Sequence, residues 1–315
     1  GPQDFDFGEI ESPNPNAGRG IMLEQRDPMT GNPIKTVFLL FTPGADATNM
    51  FKVNSAHITF ENGKLLLGDD LVAVLDDTTT VTLEGAAGND VLISAGGNQI
   101  LNGNDGNDVF VTVEKQSLPA GSSGTDVFNG GAGNDTLHMD ADLTGGTQIT
   151  QYTVNLESGS GSVTSGAGNS SFTVSSIENV EGSDLADHIT GSSGGNRLQG
   201  ETGNDTLLGG GGNDFLSGGT GNDSIDGGAG RDRVDYSQDN MSGTLVTVNL
   251  NLGTAIQGSD TDTLANVEHI VGTDGNDSLT ANGSTLLTYT LADNPVTLEG
   301  LSGNDTLDGG GSAPS

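Results

Sequence analysis

The sequence predicts an all-β fold in which right-handed parallel β-roll segments are interleaved with capping β-strand segments. Three observations lead to this prediction: a nine-residue repeat with one apolar residue per copy, a high glycine content, and strand-like segments between the repeat runs. Glycine accounts for 52 of the 315 residues, whereas average usage near 7% would give about 22. A short fixed period indicates units that bury their apolar residues by stacking on one another.

The more regular run of the repeat occupies residues 182–235. Its six blocks read GSDLADHIT, GSSGGNRLQ, GETGNDTLL, GGGGNDFLS, GGTGNDSID and GGAGRDRVD. The first residue is always Gly, the eighth is always Ile, Leu or Val, and the sixth is Asp in five of the six blocks. An earlier run of six blocks covers 85–138, with Pro119 at the apolar position of its irregular fourth block, and isolated copies stand at 272–280 and 300–308.

Each nine-residue unit is predicted to form a six-residue corner followed by a three-residue strand. Glycines at positions 1, 2 and 4 allow positive φ angles and close backbone approach in the corner. Alternation along the strand directs position 8 inward and positions 7 and 9 outward. Two units complete one turn, so units i and i+2 stack on the same edge, about 4.8 Å apart.

The corners concentrate carbonyl oxygens and one carboxylate per unit, and Ca²⁺ prefers about six to eight oxygen ligands. One corner supplies too few oxygens, but two stacked corners together can supply enough. The pattern G-G-x-G-x-D-x-U-x resembles the RTX family, the hemolysin-type calcium-binding repeats. The resemblance implies several Ca²⁺ ions, each held between stacked corners by main-chain carbonyls and position-6 carboxylates. The candidate metal ligands are Asp90, Asp108, Asp126, Asp135, Asp187, Asp205, Asp214, Asp223, Asp232, Asp277 and Asp305.

The i, i+2 rule predicts which carboxylates meet in the run 182–235. Asp205 should pair with Asp223 on one edge, and Asp214 with Asp232 on the other. A weaker pair joins Asp187 to Asp205. The weakest joins Asn196 to Asp214, because Asn196 supplies oxygen without charge.

In the run 85–138 the same rule predicts two unequal edges. Asp90, Asp108 and Asp126 should share one edge and give two sites. The other edge carries Gln99 and Ser117 in its second and fourth units, so we expect it to be nearly metal-free and to leave Asp135 without a well-formed partner. For a lone copy such as 300–308, an ordinary turn without an ion is the alternative interpretation.

Charge and composition exclude several classes of protein. Nine Lys and Arg stand against 43 Asp and Glu, for a net charge of −34, so we predict no nucleic-acid partner. No apolar run approaches the ~20 residues of a transmembrane segment, and the first residues lack the pattern of a signal peptide. The chain has no Cys, which excludes disulfides and thiolate metal sites. Self-repulsion of this charge favours a cation in the folded state.

The remaining segments read as β-structure between the rolls. Residues 1–84 are predicted to be a β-rich N-terminal cap or small domain leading into the first calcium β-roll at 85–138. An intervening strand segment at 139–181 precedes the second roll at 182–235, and 236–315 is a strand segment with the isolated copies. Residues 139–181 and 236–271 resemble one another, since both contain Val-Asn-Leu and then an apolar-Glu strand that leads into a new repeat. The ending GGGSAPS suggests a truncated fragment.

The sequence offers no convincing catalytic site, and we predict that the chain is not an enzyme. No HExxH motif is present, and the G-x-S-x-G match at 191–195 lies inside a repeat corner rather than at a strand-to-helix elbow. His138 and His188 occupy outward positions and read as surface residues.

The predicted function is therefore a secreted calcium-binding module that folds on binding several Ca²⁺ ions and has a structural or adhesive role. Its expected location is extracellular or at the cell surface, after type I secretion from a Gram-negative bacterium. A polysaccharide or another cell-surface molecule is the candidate partner besides calcium. One alternative is a non-catalytic C-terminal tail of a secreted lipase, protease or polysaccharide epimerase. A calcium-dependent ice-binding module fits less well, because the outward position 7 is irregular in 182–235.

Overall fold

The computed structural model is built from β-strands. Among the residues that it describes there is no helix, and so none long and apolar enough to cross a membrane. The chain divides into two compact units, Gly1–Gln148 with Gly166–Ile177 and Ile149–Ser165 with Glu178–Ser315. The residues described are 6–10, 20–26, 33–40, 53–54, 59–61, 64–66, 72–75, 81–85, 87–94, 98–113, 125–140, 149–165, 168–237, 245–280, 297–300 and 305–308.

The first unit begins with an antiparallel four-stranded sheet and continues as a parallel roll. The antiparallel sheet consists of β1 (Asp6–Ile10), β2 (Gly20–Arg26), β3 (Pro33–Leu40) and β4 (Val53–Asn54). One sheet of the roll has the order β16-β12-β10-β8-β6-β5 and the other β13-β11-β9-β7. Their strands are β5 (Thr59–Glu61), β6 (Lys64–Leu66), β7 (Val72–Leu75), β8 (Val81–Glu84), β9 (Val91–Ser94), β10 (Gln99–Asp105), β11 (Val109–Val113), β12 (Thr125–Ala132), β13 (Thr136–Asp140) and β16 (Gly168–Ser175).

The second unit contains the other roll, with two facing strand series. One sheet has the order β15-β14-β18-β20-β22-β26-β25-β24-β28-β30, and the other β17-β19-β21-β23-β27-β29. The strands are β14 (Ile149–Asn155), β15 (Ser160–Ser165), β17 (Asn179–Glu181), β18 (His188–Thr190), β19 (Arg197–Gln199), β20 (Thr206–Leu208), β21 (Phe215–Ser217), β22 (Ser224–Asp226), β23 (Arg233–Asp235), β24 (Val246–Asn249), β25 (Thr254–Gln257), β26 (Asp260–Ala265), β27 (His269–Val271), β28 (Ser278–Thr280), β29 (Thr297–Glu299) and β30 (Thr306–Asp308).

The apolar residue at position 8 forms the core of both rolls, as the repeat predicts. Ile189, Leu198 and Leu207 are fully buried, while their strand neighbours at positions 7 and 9 are partly exposed. In the first unit, Phe128 packs edge-to-face on Phe110, with ring centroids 6.0 Å apart. The predicted all-β architecture of stacked parallel strands is confirmed.

The second run stacks as the i, i+2 rule predicts. Strand β18 pairs in parallel with β20, and β20 with β22, so that the first, third and fifth units share one sheet. Strand β19 likewise pairs with β21, and β21 with β23, for the second, fourth and sixth units.

The first run stacks differently from the prediction. Strand β12 pairs with β10 through Ile100 and Val127, so the fifth unit lies on the second. Strand β13 pairs with β11 through Phe110 and Leu137, so the sixth unit lies on the third. The irregular fourth unit, with Pro119 where the inward residue belongs, contributes no separate strand between β11 and β12 among the described residues. Because the pairing passes over the fourth unit, the fifth unit lies in the sheet of the second unit and the sixth in the sheet of the third.

The two segments that interrupt the repeats have similar structures, in line with their similar sequences. Strands β14 and β15 form an antiparallel hairpin, as do β24 and β25. The first strand of each hairpin then pairs in parallel with a repeat strand, β14 with β18 and β24 with β28. Each hairpin thus provides the strand on which the next repeat stacks.

Candidate metal sites

Position-6 carboxylates connect successive turns of each roll. Oδ1 of Asp205 accepts a hydrogen bond from the backbone N–H of Asp187 at 2.7 Å, and Oδ1 of Asp223 accepts from the N–H of Asp205 at 2.8 Å. On the other edge, Asp214 accepts from Asn196 at 2.8 Å and Asp232 from Asp214 at 2.9 Å. One oxygen of each carboxylate is therefore used to hold the stack together.

The second carboxylate oxygen distinguishes the members of this set. Oδ2 is buried and makes no hydrogen bond in Asp108, Asp205, Asp214, Asp223 and Asp232. It lies over the position-1 glycine of its own unit, so that a Cβ on Gly200 or Gly218 would overlap the carboxylate of Asp205 or Asp223. A buried, unpaired carboxylate oxygen is costly unless a cation neutralises it.

Hydroxyl groups satisfy the carboxylates of Asp187 and Asp277, at two corners of the second unit. Oδ2 of Asp187 accepts from the N–H and the hydroxyl of Ser183, at 2.7 and 2.9 Å. Thr273 donates to Asp277 in the same manner, its N–H to Oδ2 at 2.7 Å and its hydroxyl to Oδ1 at 2.9 Å. At these corners, position 2 is Ser or Thr instead of Gly, and the carboxylate is hydrogen-bonded within its own loop.

The changed stacking of the first run alters its predicted pairs. Asp108 accepts from the N–H of Asp90 at 2.8 Å, but Asp135, not Asp126, accepts from the N–H of Asp108, at 2.7 Å. The expectations that Asp126 joins this edge and that Asp135 lacks a partner corner were therefore wrong. The skipped fourth unit is the physical reason.

Asp126 lies instead on the edge of Gln99. Its Oδ1 accepts from the N–H of Gln99 at 2.8 Å, and its Oδ2 accepts from the hydroxyl of Ser94 at 2.5 Å. The same hydroxyl lies 2.7 Å from Oε1 of Gln99. Both oxygens of Asp126 are thus hydrogen-bonded without a metal ion.

The two copies that look isolated in the sequence stack on one another. Strand β28 pairs with β30 through Leu279 and Leu307. Oδ1 of Asp305 accepts from the N–H of Asp277 at 3.0 Å, which repeats the link seen in the longer runs. Each of the eleven predicted aspartates therefore takes part in a hydrogen bond between a backbone N–H and a carboxylate of stacked turns.

Two further carboxylates continue the second run although they lie outside its nonapeptides. Oδ1 of Asp262 accepts from the N–H of Asp223, and Oε2 of Glu268 accepts from the N–H of Asp232, both at 2.9 Å. Asp262 also accepts from the hydroxyl of Tyr236 at 3.0 Å. These partners are 39 and 36 residues apart, not the 18 that separates stacked units, so the repeat did not reveal them. Even so, Asp262-Thr263-Leu264 retains the Asp-x-apolar signature.

Burial controls the acid–base behaviour of these groups. It raises the pKa of Asp205 to about 8, and the neighbouring carboxylates of Asp223, Asp187 and Glu201 add to the rise against the hydrogen bond from Asp187. Burial also raises the pKa of Asp214 and of Asp223 to about 6. It acts in the same direction on Asp108, Asp126, Asp187, Asp232, Asp262 and Glu268.

These shifts predict that the calcium-free protein becomes more stable on acidification. An unfolded Asp titrates near 3.8, whereas folded Asp205 titrates near 8 and Asp214 and Asp223 near 6. Between about pH 4 and pH 8 the folded state binds more protons than the unfolded state, so its stability falls as pH rises. Far-ultraviolet circular dichroism at pH 5, 6.5 and 8, after calcium removal on a chelating resin, measures this trend as the folded fraction of the chain. Asp205→Asn should make the loss of stability between pH 6.5 and pH 8 smaller. A stability that rises with pH would contradict the raised pKa values.

The donor set fits a hard cation. Among the described residues, no three acidic or histidine side chains converge on one point, so carboxylates alone do not form a metal cluster. The close stacking brings main-chain carbonyls into the corners, such as that of Gly203 against Gly221. Carbonyls together with one or two carboxylates are the oxygen ligands that Ca²⁺ accepts.

Of the comparisons with known proteins, the one with protein-family models agrees with this chemistry. A search of curated proteins gave no match. The family model of the RTX calcium-binding nonapeptide repeat matches residues 82–110, 120–139, 181–216, 208–240, 258–285 and 297–313. The predicted resemblance is thereby confirmed, and repeats of this type bind several Ca²⁺ ions. Between residues 82 and 313, the chain therefore carries RTX calcium-binding nonapeptide repeats.

Proposed function

We propose that this chain is a secreted module that folds on binding several Ca²⁺ ions and then has a structural or adhesive role outside the cell. The observation that carries the proposal is the set of buried Oδ2 atoms of Asp108, Asp205, Asp214, Asp223 and Asp232, which make no hydrogen bond. Bound calcium would supply positive charge at these oxygens. The hydrogen bonds that Oδ1 accepts from the neighbouring turn hold each carboxylate in place for such an ion.

The charge of the chain supports a role outside the cell. A net charge of −34 opposes compaction when calcium is scarce. RTX repeats are typical of exported proteins, and an unfolded acidic chain in low-calcium cytosol is suited to passage through an export channel. Extracellular calcium-binding modules commonly work at about 10⁻⁴–10⁻³ M calcium. Folding would then follow export.

The proposed sites include all eleven predicted aspartates, and eight of them fall into two classes. The carboxylates with an unpaired Oδ2 bind calcium most tightly. Asp126, Asp187 and Asp277, whose oxygens accept hydroxyl hydrogen bonds, contribute less. No catalytic role is assigned to any residue.

This ranking predicts unequal effects of two matched substitutions. Asp205→Asn should lower the number of tightly bound Ca²⁺ ions, whereas Asp187→Asn should leave it unchanged, because Ser183 already satisfies the Asp187 carboxylate. Equilibrium dialysis with radioactive calcium on the full chain counts the ions. Equal losses in both variants would refute the ranking while leaving calcium binding itself intact.

The adhesive role is tested with beads coated with the full chain. Beads should adhere to the surface of polysaccharide-coated bacterial cells in 5 mM CaCl₂, detach in EGTA, and not adhere in 5 mM MgCl₂. Adhesion that is independent of calcium, or absent in calcium although the protein is folded, would contradict this part of the proposal.

A further inference from the structure

The positive charge of the second unit is concentrated on one sheet. Beyond residue 115 the sequence contains only three Lys or Arg residues, Arg197, Arg231 and Arg233. Arg197 begins β19, Arg233 begins β23, and Arg231 lies in the corner that leads into β23. In so acidic a chain, this places the three arginines of the second unit close together on one sheet, although Asp235 and Glu201 lie beside them.

Phe215 lies between two of these arginines and contacts both. Arg197 and Phe215 are register partners, and so are Phe215 and Arg233. The guanidinium carbon of Arg197 lies 4.3 Å from the centroid of the Phe215 ring, and that of Arg233 lies 4.9 Å from it. Cation–π contacts of this kind hold both guanidinium groups in place. We call Arg197, Phe215 and Arg233 the Arg–Phe–Arg column.

The column retains capacity for an anionic ligand. Arg197 donates through Nε to the neutral Oε1 of Gln199 at 2.9 Å, a bond that leaves its charge uncompensated. Arg233 forms an ion pair with Asp235, yet 37% of its side chain is exposed. All three side chains of the column are half-buried. Guanidinium groups bind carboxylates through paired hydrogen bonds.

We infer that the Arg–Phe–Arg column binds an acidic glycan, a chain of uronate sugars running along the stacking direction. The two arginines are two strand spacings apart, about 9.6 Å, so they can reach separate carboxylates of one chain. The Phe215 ring between them is covered by the two guanidinium groups, so it fixes their positions instead of contacting the sugar. A stiff glycan also loses less conformational entropy on binding than an acidic peptide would. The inference rests on the proposed calcium-folded roll, because stacking assembles the column.

Isothermal titration calorimetry of the full chain in 5 mM CaCl₂ tests this inference. The probe is tetragalacturonate, which is too short to gel with calcium, and neutral maltotetraose is the ligand control. Arg197→Gln with Arg233→Gln should weaken tetragalacturonate binding at least about tenfold, since two charge-assisted contacts are lost. Arg26→Gln with Lys35→Gln removes the same charge from strands β2 and β3 of the first unit and should change the affinity less than about twofold. Added salt should weaken wild-type binding.

Circular dichroism of each variant with and without calcium separates the possible failures. Equal weakening in both double variants, equal binding of maltotetraose, or no binding by a folded wild type would overturn the inference while calcium-driven folding stands. Loss of calcium-driven folding in the wild type would instead overturn the proposed function. Sedimentation that shows the column mediating self-association, with no glycan bound, would also overturn the inference.

Discussion

Asp205→Asn combined with Asp223→Asn is expected to abolish most of the calcium response of the second run and to stabilise the calcium-free fold. Asparagine keeps the Oδ1 acceptor that the N–H groups of Asp187 and Asp205 require. It removes the two buried charges whose pKa values burial raises to about 8 and about 6. The same change therefore removes ligands for calcium and relieves a cost in its absence.

The size of the calcium effect follows from linkage. A site with a dissociation constant of order 100 μM contributes about 2.7 kcal/mol at 10 mM calcium. The same site contributes about 1.4 kcal/mol at 1 mM calcium. Urea unfolding in 1 mM and in 10 mM CaCl₂ should therefore show a gap in stability that is smaller in the double variant by about 1.3 kcal/mol per lost site. Asp184→Asn, an exposed residue of the first corner, makes the matched change of charge and should leave the gap unaltered. A double variant that keeps the wild-type gap would show that Asp205 and Asp223 do not hold calcium.

Gly221→Ala is expected to disrupt the second run even when calcium is saturating. Gly221 has a φ of +132°, a conformation that L-residues other than glycine rarely adopt. A Cβ at this position would also overlap the carbonyl oxygen of Gly203 in the preceding stacked turn. Strain and backbone displacement together should cost at least about 3 kcal/mol.

Gly211→Ala is the control for this substitution. A Cβ on Gly211 would meet the nearest atoms of Ser193 at 3.5 Å, an ordinary van der Waals contact. Its unfolding midpoint in urea with 10 mM CaCl₂ should match the wild type or rise slightly, because alanine restricts the unfolded chain. Equal midpoints for the two variants would contradict the stacked-corner structure.

The second run was predictable because each of its units keeps the position-1 glycine and the inward apolar residue, and five of the six keep the position-4 glycine. Since the nine-residue register is unbroken from Gly182 to Asp235, side, stacking partner and burial all follow from position in the repeat. The Ser183 and Thr273 hydroxyls were visible in the sequence at position 2. Their effect on Asp187 and Asp277 depends on the loop conformation, which the pattern does not specify.

The stacking of the first run and the carboxylates at the ends of the stacks could not be predicted from the sequence alone. The sequence keeps its nine-residue spacing through the fourth unit, but the parallel pairing passes over that unit, since β12 pairs with β10 and β13 with β11. Spacing alone therefore misassigned Asp126 and Asp135. Asp262 and Glu268 escaped prediction because hairpin segments separate them from the corners that they join. The Arg–Phe–Arg column is built from outward positions of alternate units. Its side chains are not metal ligands, so the calcium-binding pattern did not single them out.

The most direct test of calcium-driven folding is a calcium titration of the stripped full chain, followed by far-ultraviolet circular dichroism, with magnesium as the control. The buried unpaired carboxylates and the net charge of −34 predict a largely unfolded chain without calcium. They also predict a steep transition to β-structure near millimolar calcium and no response to magnesium. Full β-structure in the absence of calcium at pH 7.5, unchanged by its addition, would contradict the account.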